Sequence, residues 1–102
     1  NYMSILSTNK GIIEIRNNTG ALVRSCGSGD AISVDLNNNQ TLIAVATSSG
    51  KIEIRKISGA LLRTFGSGNA NSVRWNGNEI VVATSNGKTE LRKEGGALIR
   101  TF

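Results

Sequence analysis

Proline and histidine are missing altogether from this 102-residue sequence, cysteine occurs once, and aromatic residues make up 4% of the chain. Each shortage closes off a class. A lone Cys26 rules out an intramolecular disulfide framework and fits a reducing compartment, so a cytoplasmic location is expected. With so few aromatics, the interleaved basic and aromatic surface of a nucleic-acid binder cannot be built, and specific nucleic-acid binding is not expected. No apolar run reaches the length of a membrane span, and no basic-then-apolar signal segment opens the sequence. No membrane partner is therefore expected. No motif assembles a nucleophile with a base, and none has metal-ligand spacing. The chain is read as a non-enzyme, with no catalytic residue, no cofactor and no metal.

Without proline, the turns fall to 12 glycines helped by Asn and Ser, which tolerate positive φ or bond their own backbone. Apolar content is 38%, and Leu, Ile, Val and Ala supply most of it. Twelve basic against seven acidic side chains give a formal charge of +5 and a pI near 10.0. That balance favours anionic partners in general and defines no ligand.

What the sequence does have is repetition. "GIIEIRNNTGALVRSCGSG" (11–29) returns as "GKIEIRKISGALLRTFGSG" (50–68) and begins again as "GKTELRKEGGALIRTF" (87–102). The interval is 39 residues from Gly11 to Gly50 and 37 from Gly50 to Gly87. Periods of this size signal solenoids or propellers. Within each copy the alternation has period two. In "KIEIRK" (51–56), Ile52 and Ile54 face one way and Glu53 and Arg55 the other. "TLIAVATS" (41–48) is nearly all apolar, as befits a strand buried on both faces. "AISVDL", "NSVRWN" and "ALLRTF" also read as strands. Ser49-Gly50, Asn86-Gly87, Ser58-Gly59, the two "GSG" loops, "NNNQ" and "NGN" are turn signals between them. The two residues missing from the last copy fall in the "NNNQ"/"NGN" turn, where a deletion leaves strand register intact.

The fold class expected is all-β. Each full copy folds as a blade of four short antiparallel strands that must stack on its neighbours to bury its faces. The expected division is a partial blade at 2–27, a blade at 31–66 and a blade at 71–102. "SILSTNKG" (4–11) aligns with "IAVATSSG" (43–50), so the first blade opens at its second strand.

Residues 58–92, "SGALLRTFGSGNANSVRWNGNEIVVATSNGKTELR", resemble the WD-repeat β-propeller family. They share its rhythm of outer strand, Gly-containing loop, "SV" inner strand, hairpin, Ser/Thr-rich strand and charged third strand. The family's Gly-His loop motif is replaced by "GSG". Its terminal Trp-Asp is replaced by Arg16-Asn17, Arg55-Lys56 and Arg92-Lys93. The resemblance implies a propeller serving as a platform for other proteins and peptides, without the family's buried tetrad.

Eleven strands make just under three blades, and a propeller ring needs at least about four. Two explanations follow. Several copies complete one ring as a cyclic homo-oligomer, the reading preferred here, or the chain is a segment of a longer propeller.

The sharpest chemical feature is a repeated Glu-x-Arg: Glu14/Arg16, Glu53/Arg55 and Glu90/Arg92. Its recurrence in every blade points to a ladder of structural ion pairs. The alternative is an anion-binding rim of guanidinium groups, which grip carboxylate or phosphate bidentately. Arg24, Arg63 and Arg100 recur on the neighbouring outer strand, where opposite charges facing across the pair would stabilise modestly. The "GSG" loops are plain turns, because no helix follows to make a phosphate cradle. Trp75 stands where the preceding copy has Leu36 and is expected in the core. Cys26 stands where the other copies have Phe65 and Phe102 and is expected to be a buried thiol on a fourth strand. A lectin-like ligand-binding propeller is the alternative function.

Overall fold

Short alternating segments, each closed by a glycine turn, leave no stretch long enough to favour a helix. The computed structural model describes residues 4–102, which form eleven strands and no helix. The expected start of the first blade at residues 2–3 lies outside the described residues. The first blade contains β1 (Ile5–Asn9), β2 (Ile12–Arg16) and β3 (Leu22–Cys26). The second contains β4 (Ala31–Leu36), β5 (Leu42–Thr47), β6 (Ile52–Lys56) and β7 (Leu61–Phe65). The third contains β8 (Ala70–Asn76), β9 (Glu79–Thr84), β10 (Thr89–Lys93) and β11 (Leu98–Thr101). Every neighbouring pair is an antiparallel meander step.

The core lies between blades. Among the described residues the central blade is the one covered on both sides, and β5 shows the consequence. Its alternation sends Ile43 and Val45 towards the first blade, where they pack with Ile13 and Ile15. It sends Ala44 and Ala46 towards the third, where they join Ile52, Ile54, Ile80 and Val82. The isoleucines at 13, 15, 43, 52, 54 and 80 are at most 1% exposed. Burying a side chain of this kind contributes about 1.5–3 kcal/mol, so these two joints dominate the stability.

The deletion falls in a loop, as expected. The β4–β5 connection is pinned by Asn37, whose Oδ1 accepts from the N–H groups of Thr41 and Leu42 at 2.9 and 3.0 Å. The β8–β9 connection is only Gly77-Asn78, with Asn76 paired to Glu79. Leu36↔Ile43 in one blade and Trp75↔Ile80 in the next keep equivalent pairings.

One sequence alignment needs correction. In the second and third blades a three-residue turn ends on Gly50 or Gly87, whose N–H bonds back to Thr47 or Thr84. In the first blade Lys10 and Gly11, both at positive φ (53° and 83°), make a two-residue turn that pairs Asn9 with Ile12. This slips β1 by one residue. Leu6, opposite Ile15, takes the place of Ala44 opposite Ile54, and Ser7 takes the place of Val45. A one-residue slip exchanges the faces of a strand. It puts Leu6 into the joint with the second blade and Ser7 on the outside.

Candidate functional site

Each Glu-x-Arg pair sits on the third strand position of a blade and shares the face turned to the preceding blade. In the second blade, Arg55 Nε donates to Glu53 Oε1 at 2.9 Å and Nη1 to the Gly59 carbonyl at 2.9 Å. Its Nη2 crosses the joint to Ser28 Oγ, in the "GSG" loop of the first blade, at 3.3 Å. The third blade repeats the arrangement. Arg92 donates to Glu90 Oε1 and the Gly96 carbonyl, both at 2.8 Å, and to Ser67 Oγ of the second blade at 3.2 Å. Glu53, Arg55, Glu90 and Arg92 are at most 8% exposed. A buried charge is tolerated only when it is paired and hydrogen-bonded, and these are both. The outer strand makes the geometry possible. Register skips one residue opposite each arginine, between Leu61 and Arg63 in the second blade and between Leu98 and Arg100 in the third. Such a bulge re-aims the backbone, here turning the Gly59 and Gly96 carbonyls towards the guanidinium.

The first blade carries the same pair, with no blade before it among the described residues. Arg16 Nη2 meets Glu14 Oε1 at 3.0 Å and Nη1 meets the Gly20 carbonyl at 2.8 Å, but the Arg16 side chain is 38% exposed. Asn9 Nδ2 also donates to Glu14. The hydrogen bonds from Arg16 and Asn9 hold the Glu14 carboxyl below its ordinary range.

The turn glycines complete the joint. Gly59 and Gly96 have φ of 99° and 106°, a region that side chains rarely adopt. A Cβ on Gly59 would lie 2.8 Å from Cys26 Cβ, and one on Gly96 would lie 2.8 Å from the Phe65 ring. Arg92 stacks over that ring, 5.9 Å from its centroid, a cation–π distance. Cys26 occupies the Phe position of the first blade, on the fourth strand position, as expected. It is half-buried rather than buried, as Phe65 is at the same position of the second blade. Burial still pushes its pKa up.

Arg24 and Arg63 do not face the Glu-x-Arg pairs. They pair across strands with Ile15 and Ile54, which puts them on the other face of the blade. From there Arg24 Nη1 reaches the Ser58 carbonyl of the following blade at 3.3 Å, and Arg63 Nη1 reaches the Glu94 carbonyl at 3.0 Å. Trp75 is half-buried. Its backbone N–H donates to Asp35 Oδ2 at 2.7 Å and its indole Nε1 to the Asp35 carbonyl at 3.1 Å, tying two inner strands together.

Sequence reasoning missed the partners: Ser28, Ser67, Gly59, Gly96 and Asp35. A signal existed for four of them. "GSG" and "GAL" recur at fixed offsets from each Glu-x-Arg. Asp35 has no counterpart, since the third blade has Arg74 there.

Shallow depressions lie among the described residues. One, between blades, has a volume of about 210 Å³ and is lined by Ser48, Ser49, Asn69, Asn71 and Ser85 among others. The other, at Asn37–Asn39 and Gly77–Asn78, has about 110 Å³. Both fall below the ~300 Å³ at which ligand pockets usually start. Among the described residues no three Cys, Asp or Glu side chains gather as a metal site would need.

No family model and no curated protein matches the sequence. Solved structures do match its shape. The chain superposes on the crystal structure of BamB from Moraxella catarrhalis with a TM-score of 0.79 and 15% identity, covering 97% of this chain and 32% of that one. It superposes on the crystal structure of RRP9 WD40 repeats with a TM-score of 0.81 and 13% identity, covering 97% and 34%. The chain thus has the β-propeller fold, and it spans about a third of the length of each of these neighbours.

Proposed function

We propose that the chain is a non-enzymatic β-propeller module that presents a rigid surface to proteins or peptides and completes its ring with further copies of itself. The observation that supports this is the destination of the repeated charges. Arg55 and Arg92 direct their donors at their own blade and the one before it, inside joints that exclude water. What recurs in the sequence is then the means of stacking blades, and the surface left for recognition is loops and rims. Function argued from a propeller fold rests on analogy with platforms of that architecture. Self-completion rests on the repeat itself, since one joint geometry, a guanidinium reaching a serine of the preceding blade, serves successive blades and can be copied between chains. Head-to-tail contacts of identical chains close a ring when the rotation fits.

Anion binding is the second reading, and one observation favours it. Arg16 is only half-buried and uses two of its five donors. Sedimentation of the 102-residue chain at micromolar concentration, with a heparin titration of the same sample, separates the readings. A defined assembly with no saturable heparin binding is expected. A folded 10.8 kDa monomer would refute self-completion. Saturable heparin binding that Arg16→Met abolishes would establish the anion-binding reading instead.

A further inference from the structure

Asparagine is followed by glycine twice, at Asn76-Gly77 and Asn86-Gly87, and each pair lies at an exposed hairpin turn. Asparagine is among the side chains that chemistry alone alters with time and heat. The route is attack on its side-chain carbon by the amide nitrogen of the next residue. Glycine obstructs that approach least, because it has no Cβ and its backbone turns freely. By sequence the two pairs are alike, and the fold separates them.

Asn86 is held at both reacting groups. Its Oδ1 accepts from Thr84 Oγ1, and the Gly87 N–H donates to the Thr84 carbonyl at 3.2 Å. Among the described residues Asn76 makes no side-chain hydrogen bond, and the Gly77 N–H has no backbone acceptor. The shortened loop is the cause. Asn37 holds the same position in the second blade, and there its Oδ1 accepts from the Thr41 and Leu42 N–H groups while Nδ2 donates to Thr41 Oγ1 at 3.2 Å. With two residues fewer, the third blade brings no threonine back to its asparagine, and Asn76 pairs directly with Glu79. The openness of this rim does not depend on which blades are present. Asn38 and Asn39 of the second blade are exposed although a blade follows, and with Gly77 and Asn78 they line an open depression of about 110 Å³.

We propose that Asn76 is a site of spontaneous deamidation and that the fold protects Asn86 from the same reaction. The Gly77 nitrogen gives its proton to solvent base and bonds to Asn76 Cγ. The side-chain nitrogen leaves as ammonia, taking a proton from water, and a five-membered succinimide remains. Water then opens the ring. Opening at Cγ leaves aspartate at position 76, and opening at the main-chain carbonyl leaves isoaspartate, with the chain running through the former side chain. Either product sets a carboxylate opposite Glu79, where like charges facing across an antiparallel pair destabilise. Isoaspartate also adds a carbon beside a two-residue turn in which Gly77 sits at φ 62°.

The test holds the folded chain in mildly alkaline buffer beside a sample unfolded in guanidinium. Both positions lie in one tryptic peptide, 75–88, so tandem mass spectrometry locates each replacement of ammonia by water. In the folded chain Asn76 is expected to convert several-fold faster than Asn86. In the unfolded chain the two rates should converge, since both are then only asparagine before glycine. Equal rates in the folded chain, or a faster Asn86, would overturn the proposal. So would a folded Asn76 that stays intact while the unfolded one converts.

Discussion

A guanidinium held by a carboxylate, a carbonyl and a hydroxyl at once has little freedom to serve anything else. Arg55 is in that position, buried with Glu53 in the joint between the first two blades. Arg55→Met should cost about 3–5 kcal/mol in urea unfolding, because Glu53 is left buried and unpaired. The double change Glu53→Leu with Arg55→Met should cost clearly less, because no charge remains to be buried. A double variant as damaged as the single one would mean that the guanidinium acts through packing and not through its charge. The pair in the first blade behaves differently. Arg16 and Asn9 favour the charged form of Glu14, so its contribution is present above the unfolded-state pKa. It disappears as pH falls through the lower folded value. Arg16→Met should raise the Glu14 titration midpoint followed by NMR, and an unmoved midpoint would contradict the assignment. Cys26 has the opposite sign. Its raised pKa favours the neutral thiol, a contribution present below the unfolded value and lost as pH rises through the folded one. Native Cys26 should therefore react with thiol reagents more slowly than in the unfolded chain, with its rate climbing only at higher pH.

Hairpin turns carry the second scale of contact, because one blade's turn is the next blade's seat. Gly50 and Gly87 end equivalent turns with φ of 81° and 80°. A Cβ on Gly50 would sit 2.1 Å from the Gly68 carbonyl oxygen of the loop leading into the third blade, whereas a Cβ on Gly87 meets nothing within 4 Å. The Gly50 carbonyl also accepts the Ala70 N–H at 2.9 Å, which fixes where the next inner strand starts. Gly87→Ala should then cost only its backbone strain, about 1–2 kcal/mol. Gly50→Ala should cost roughly 1–3 kcal/mol more, the overpacking of a backbone-to-backbone contact. Equal losses in thermal unfolding would show that the turns do not hold the blades together.

At the scale of the whole molecule the described residues form a row of blades whose middle member is covered. The second blade has both faces packed, and the first and third have one each. The proposed self-completion would couple folding to concentration, because a partner that binds only the folded chain stabilises it by mass action. The melting temperature should therefore rise with protein concentration over the micromolar range. Calorimetry at several concentrations would show this. A concentration-independent melt of the wild-type chain would leave the row of three blades stable by itself.

The sequence by itself determined the strands, their order and their pairing. Period-two alternation assigns each residue to a face, glycine and asparagine mark each turn, and the repeat copies the plan from blade to blade. Even the loop of unequal length was legible, since "NGN" against "NNNQ" changes a turn and not a register. Only the tertiary structure decided what lies across each joint. Ser28 and Ser67 look like turn residues until a guanidinium 27 or 25 positions away reaches them. Arg63 looks like a partner for Glu53 until the bulge and the pairing with Ile54 place it on the opposite face. The slip at Lys10-Gly11 was hidden too, because a two-residue and a three-residue turn can both end in glycine. Local patterns record the faces a strand has, since those follow from backbone geometry alone. Which face meets which depends on how twisted sheets stack, and that is settled by contacts between residues far apart in the chain.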